Sequence, residues 1–259
     1  MLHIRSSQKD VFDAYSLNQY KAELCRHLTR YDPLLCEAAG PEALKETVDL
    51  GVQRANECGF TLNGPIRTYL EIMLALGSHF DRDPQYFWLV PWLRPQDRYP
   101  EMERARYLQF HVIRYLNDVQ GSDGANGIVV LKKAQEVTRD KLIKIGSNYP
   151  GEAMNWLETM HRLKCRFIGK KALQSLIHSA RKEAAQAELH GPQSAPLVLG
   201  LMFTFGSGIL RDPMYPWVTR TLTSTYEKGE ETREEKLLRR TITYLKKMLQ
   251  QIQAIQNNV

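Results

Sequence analysis

The feature that most constrains this chain is an internal repeat. Laid on residues 169–248 at a constant offset of 129 and without a gap, residues 40–119 match at 20 of 80 positions. Unrelated sequences of ordinary composition match at roughly 5 of these, from a background identity of about 6%. The densest block pairs Gly77, Ser78, Arg82, Asp83, Pro84, Tyr86 and Trp88 with Gly206, Ser207, Arg211, Asp212, Pro213, Tyr215 and Trp217. A second block pairs Glu101, Arg104, Leu108, Ile113, Tyr115 and Leu116 with Glu230, Arg233, Leu237, Ile242, Tyr244 and Leu245. A duplicated sequence builds its core twice. The chain therefore reads as two related units, 1–120 and 126–259, joined through the Gly, Ser, Asp and Asn cluster at 120–126.

Each unit reads as helices. Over 41–58 the apolar residues Leu44, Val48, Val52 and Ala55 step by three or four, and Gly59 stands where a helix would be capped. Pro65 and Pro100 are placed to open helices, where a missing N–H costs nothing. In the second unit the same periodicity predicts helices near 131–146, 150–165, 170–187, 194–206, 214–224 and 230–255. No alternating Val, Ile or Thr run reads as a strand, and only Gly127 to Leu131 (GIVVL) is ambiguous. The expectation is an all-α fold of ten to twelve helices, arranged as two related multi-helix bundles.

A chain of 259 residues buries enough core to need neither metal nor disulfide. Cys25, Cys36, Cys58 and Cys165 lie at wide spacings without a CxxC pair, which fits reduced thiols. The longest apolar run, 197–210, has 14 residues, too few to span a bilayer, and reads as a core helix. The opening MLHIRSSQKD has no apolar core of a signal peptide, so a cytoplasmic location is expected.

The blocks FDRDPQYFW and ILRDPMYPW are the most site-like motifs. Asp81 and Asp83 form an Asp-x-Asp that would suit a hard cation, but the second unit has Leu210 in place of Asp81. What recurs is an Asp directly before Pro, which is what a helix start requires: the carboxylate caps backbone N–H groups and Pro takes the first turn. Arg82, Asp83, Pro84 and Trp88, with Arg211, Asp212, Pro213 and Trp217, therefore read as a structural corner in which each Arg crosses to a neighbouring helix and each Trp anchors the core. Glu101 with Arg104, and Glu230 with Arg233, are three apart and read as local ion pairs.

Neither a HExxH helix, nor a Gly-x-Ser-x-Gly elbow, nor a Gly-rich phosphate loop occurs, so no catalytic residue, metal or cofactor is expected. Charge separates the units. Residues 1–129 carry 14 Lys and Arg against 17 Asp and Glu, and residues 130–259 carry 21 against 12. An excess of positive charge draws acidic partners, and without a nucleic-acid-binding motif an acidic protein is expected ahead of nucleic acid. The candidate partner-binding residues are Lys164, Arg166, Lys170 and Lys171 at one helix junction, and Arg239, Arg240, Lys246 and Lys247 on the last long helix. An enzyme, such as a hydrolase of the cell envelope or of nucleic acid, is the alternative.

The run AELCRHLTRY, followed by LKETVDLGVQRANECGFTLNGPIRTYLEIMLALGSHFDRDPQYFW, resembles small helical proteins encoded beside type VI secretion spike and effector genes. Their basic HLRRH-like helix, Gly-x-x-Arg-Ala helix, Tyr-Leu-x-x-Met helix and Phe-Asp-x-Asp-Pro corner recur here in order between Glu23 and Trp88. The family corner usually continues Pro-Trp. Phe87 departs from it, whereas Pro216-Trp217 keeps it. The resemblance implies a non-enzymatic accessory role beside an effector or spike component, as adaptor, chaperone or immunity protein.

Overall fold

The computed structural model describes residues 6–121, 124–224 and 231–256. Among them are thirteen α-helices and no strand; one isolated bridge joins Gln96 to Tyr99. The first half runs α1 (Ser6–Tyr31), α2 (Pro33–Ala39), α3 (Pro41–Glu57), α4 (Asn63–Leu76), a 3₁₀ turn (Pro84–Leu89), α5 (Val90–Leu93) and α6 (Glu101–Gln120). The second runs α7 (Ala125–Gln135), α8 (Arg139–Ser147), α9 (Gly151–Ile168), α10 (Lys170–Gln186), α11 (Ser194–Phe205), a short 3₁₀ turn (Ile209–Arg211), α12 (Pro216–Leu222) and α13 (Arg233–Gln256). None of these helices is long and apolar enough to cross a membrane.

Local chemistry explains most boundaries. Gly127 to Leu131 lies inside α7, and the single helix expected over 131–146 is two. Thr138 breaks it: its hydroxyl accepts from Lys141 N at 3.3 Å, a cap that starts α8 afresh. Pro65 sits two residues inside α4, and Pro100 just outside α6. Both positions still lie within the turn whose N–H groups have no intrahelical acceptor. The apolar run at 197–210 is buried in α11 and the turn after it, as a core segment.

α9 bends where a sequence reading sees one unbroken helix. His161 leaves helical geometry with φ −151° and ψ 79°. Asp32, between α1 and α2, has φ −136° and ψ 82°. Each turns its side chain onto the helix that follows: Asp32 Oδ1 accepts from Leu35 N at 2.9 Å, and His161 Nδ1 from Lys164 N at 3.4 Å. The bend in α9 is thus a helix cap with imidazole in the place of carboxylate.

The halves share one continuous core and interlock at their corners. The C-termini of α4 and α11 meet back to back. A Cβ on Gly77 would stand 2.4 Å from the Phe205 carbonyl oxygen, and one on Gly206 would stand 2.6 Å from that of Leu76. Both glycines also have left-handed backbone, φ 96° and 99°, so neither position admits another residue without strain. Beside this crossing the two Asp caps are shared between halves. Asp83 Oδ1 accepts from Gln85 N at 2.8 Å, while its Oδ2 accepts from Ser207 N of the second half at 2.6 Å. Asp212 Oδ1 accepts from Met214 N at 3.0 Å, and its Oδ2 from Ser78 N of the first half at 2.8 Å. Burial raises both carboxyls above their ordinary range, and these N–H donors counter part of that. The turn at Pro84–Leu89 also packs on α10.

Candidate functional site

The Asp-x-Asp does not form a cation site. Asp81 is spent on Arg54, whose Nη1 lies 3.0 Å from its Oδ1 and also donates to the Ser78 carbonyl at 2.7 Å. Among the described residues no three His, Cys, Asp or Glu side chains are placed to hold a metal. Arg82 and Arg211 cross to neighbouring helices as the motif implies, reaching Glu57 of α3 and Glu183 of α10. Trp88 and Trp217 are half-buried against Tyr115 and Tyr244. The four cysteines are free thiols, and burial raises their pKa, Cys165 to about 12.

The local ion pair expected at Glu101 and Arg104 is replaced by two longer-range bonds. Glu101 accepts from Thr61 N at 2.5 Å and Leu62 N at 3.1 Å. Arg104 is buried, donates to the carbonyls of Cys58, Gly59 and Trp92, and lies over the Phe60 ring at 4.3 Å. A guanidinium at the C-terminus of α3 satisfies carbonyls that the helix leaves unpaired and meets its negative end. Arg233 reaches Glu188 at 3.4 Å; Glu230 lies outside the described residues.

The eight candidate cations fall into three groups. Lys164 is not at the surface: it is 7% exposed, its Nζ donates to the Phe203 carbonyl at 2.5 Å, and it stands 4.6 Å from the centre of the Phe203 ring. Burial lowers its pKa to about 8. The period foretells this placement, because Leu157, His161, Lys164 and Ile168 step by three or four along one buried stripe of α9. Arg239 and Arg240 are engaged, the first on Glu231 at 2.8 Å and the second on Thr221 Oγ1 at 2.8 Å. Arg166, Lys170, Lys171, Lys246 and Lys247 are exposed and make no ion pair with a described residue. The junction cluster therefore keeps three of its four members at the surface, and the α13 cluster keeps two without a partner.

Beside the junction cluster lies a surface that charge counting does not find. Phe167, 38% exposed, packs on Trp88 at 5.6 Å between ring centres, and Trp88 touches His111, which touches Phe110. Phe110 (58%), Phe87 (55%), Ile113 (51%) and Leu163 (43%) are among the most exposed large apolar side chains of the molecule. The ring contacts run from Phe110 and His111 of α6 through Trp88 of the first corner to Phe167 of α9, so this row spans the seam between the halves. Arg166, Lys170 and Lys171, all exposed, stand within four residues of Phe167 in the chain.

A second feature of the seam is a cleft of about 450 Å³. The ends of α4 (Leu74, Leu76) and α11 (Phe203, Phe205) contribute walls, and α7 (Ile128, Leu131) closes another side. Asp32 and His161, the paired caps, both line it, as does Lys164.

Neither the models of known families, nor curated proteins, nor solved structures match the chain.

Proposed function

We propose that this chain is a non-catalytic, protein-binding accessory protein, and that the α6–α9 face receives an acidic, partly apolar segment of its partner. The observation that carries this reading is the row Phe110, His111, Trp88 and Phe167, with the unpaired cations Arg166, Lys170 and Lys171 within four residues of Phe167 in the chain. Exposed aromatic residues next to Arg and Lys are what binding centres are made of: rings supply area at small entropic cost, and charge speeds encounter. The resemblance of Glu23 to Trp88 supports an effector or spike component of type VI secretion as the partner.

The reading includes a duplication. Units 1–120 and 126–259 are inferred to be copies, and backbone agreement at the offset of 129 supports this. α3 and α10 are both 17 residues long and begin 129 apart. Besides the caps Asp32 and His161, left-handed backbone recurs at Gly59 (φ 70°) and Glu188 (φ 55°).

The test is association kinetics with the product of the neighbouring effector gene. A variant combining Arg166→Glu, Lys170→Glu and Lys171→Glu should keep its helical spectrum, bind at least about tenfold more slowly at low salt, and lose most of the salt dependence. Phe110→Ser should instead speed dissociation. Unchanged rates in both variants would refute the assignment of this face.

A further inference from the structure

The cleft at the seam holds a buried cation that forms no ion pair with a described residue; the buried Asp83 carboxylate acts on it only from farther off. Lys164 spends one ammonium N–H on the Phe203 carbonyl. Among the described residues its ammonium faces only the Phe203 ring besides that carbonyl, and no second hydrogen-bond acceptor meets it. Removing an ammonium from water is costly unless it is paired, so such a group needs a reason. Packing does not supply one. At the same place in the first half, 129 residues earlier, stands Leu35, equally buried, behind the equivalent cap Asp32. The fold therefore accommodates an apolar side chain at this position.

The rest of the cleft is mainly aliphatic and aromatic. Leu35, Leu116, Val119, Leu131, Met248 and Ile252 belong to its lining. Its volume falls in the range of small-molecule sites, about 300–1,000 Å³. Asp32 lies in the same cleft, with Oδ1 committed to Leu35 N. A carboxylate head is therefore drawn to the Lys164 side and repelled from the Asp32 side, which fixes one orientation.

We propose that this cleft binds a linear aliphatic monocarboxylate, its carboxylate taking the free N–H groups of Lys164 and its chain lying along the apolar walls between α6, α7 and α13. The site is distinct from the protein-binding face, and its test does not depend on any partner.

The test is calorimetric titration of the full chain with decanoate, decanol and decylamine, each below its aggregation concentration. Decanoate should bind one to one, at least about tenfold more tightly than decanol, and decylamine more weakly still. Affinity should rise about fourfold for each methylene added from octanoate to decanoate. Lys164→Met should bring decanoate and decanol to equal affinity. Ile128→Trp, which places a large ring in the cleft from a half-buried position on α7, should abolish binding of all three and serves as the second variant should Lys164→Met fail to fold. Equal affinity of decanoate and decanol for the natural chain, preference for decylamine, no binding of decanoate, or full decanoate binding by either folded variant would each overturn the proposal.

Discussion

Position 54 carries an arginine and position 183, at the sequence offset of 129, a glutamate; the two regions handle that exchange in opposite ways. In the first, Arg54 pairs with Asp81 inside the molecule, the side chains only 8% and 6% exposed. In the second, Leu210 stands where Asp81 would be, and Glu183 turns to Arg211, whose side chain is 57% exposed. The corner backbone is the same in both, Asp before Pro with an Arg ahead of it. What differs is where the charge is neutralised. A buried pair commits both partners, since either alone is an unpaired charge out of water, whereas an open pair can lose a member to solvent. At this position the first half neutralises its charge inside the molecule and the second at its rim.

Three measurements sharpen or break that contrast. The largest effect should come where the halves are alike. Gly77→Ala and Gly206→Ala each force a Cβ into a carbonyl of the other half at positive φ, and each should cost about 3–5 kcal/mol in urea denaturation. A tolerated substitution at only one of them would show that the crossing is not equivalent from its two sides. Next, Arg54→Met should cost about 3 kcal/mol by leaving buried Asp81 with only the exposed Arg82 at 3.5 Å, while Glu183→Met should cost under about 1 kcal/mol. Equal costs would dissolve the distinction between the halves.

The smallest effect separates the two caps. His161 is pushed down to about 4 by burial and by the nearby Lys164 and Lys133, and His79 to about 4 by burial and nearby arginines. A histidine held below its ordinary 6.5 is neutral in the fold, so its contribution is whole above pH 6.5 and is lost as pH falls toward 4. Tm should therefore drop by a few degrees between pH 7 and pH 5. His161→Asn, which keeps an acceptor that does not titrate, should remove part of that drop and leave the part due to His79. A pH dependence identical to that of the natural chain would show that the His161 cap carries no proton-linked stability.

The helical class could be read from periodicity, because apolar steps of three and four dominate both halves. The corners too were legible: an Asp before Pro is a cap wherever it stands. That each Asp serves two halves was not legible. A cap is a local rule, and the second acceptor oxygen meets an N–H more than 120 residues away. The cationic clusters were half legible. A count of Lys and Arg marks the junction at 164–171, but burial depends on helix phase, and phase puts Lys164 on the inner stripe and Arg166 outside. Arg104 misled for a related reason, since spacing of three from Glu101 is silent about the helix end that lies opposite. The aromatic row at the seam was missed because its members come from three separate segments, and only packing brings them side by side.

The shared caps also impose an order on the chain's birth. When Ser78 leaves the ribosome its acceptor, Asp212, is 134 residues from being made. At about 5–20 residues per second that is a wait on the order of ten seconds. Throughout it the end of α4 faces water with its amide unclaimed, and the carboxylate of Asp83 lacks Ser207. The early half thus emerges with an open seam, and closure comes only when its counterpart arrives from the same strand of synthesis. Until then, neither corner has its full set of donors, and the two are completed together or not at all.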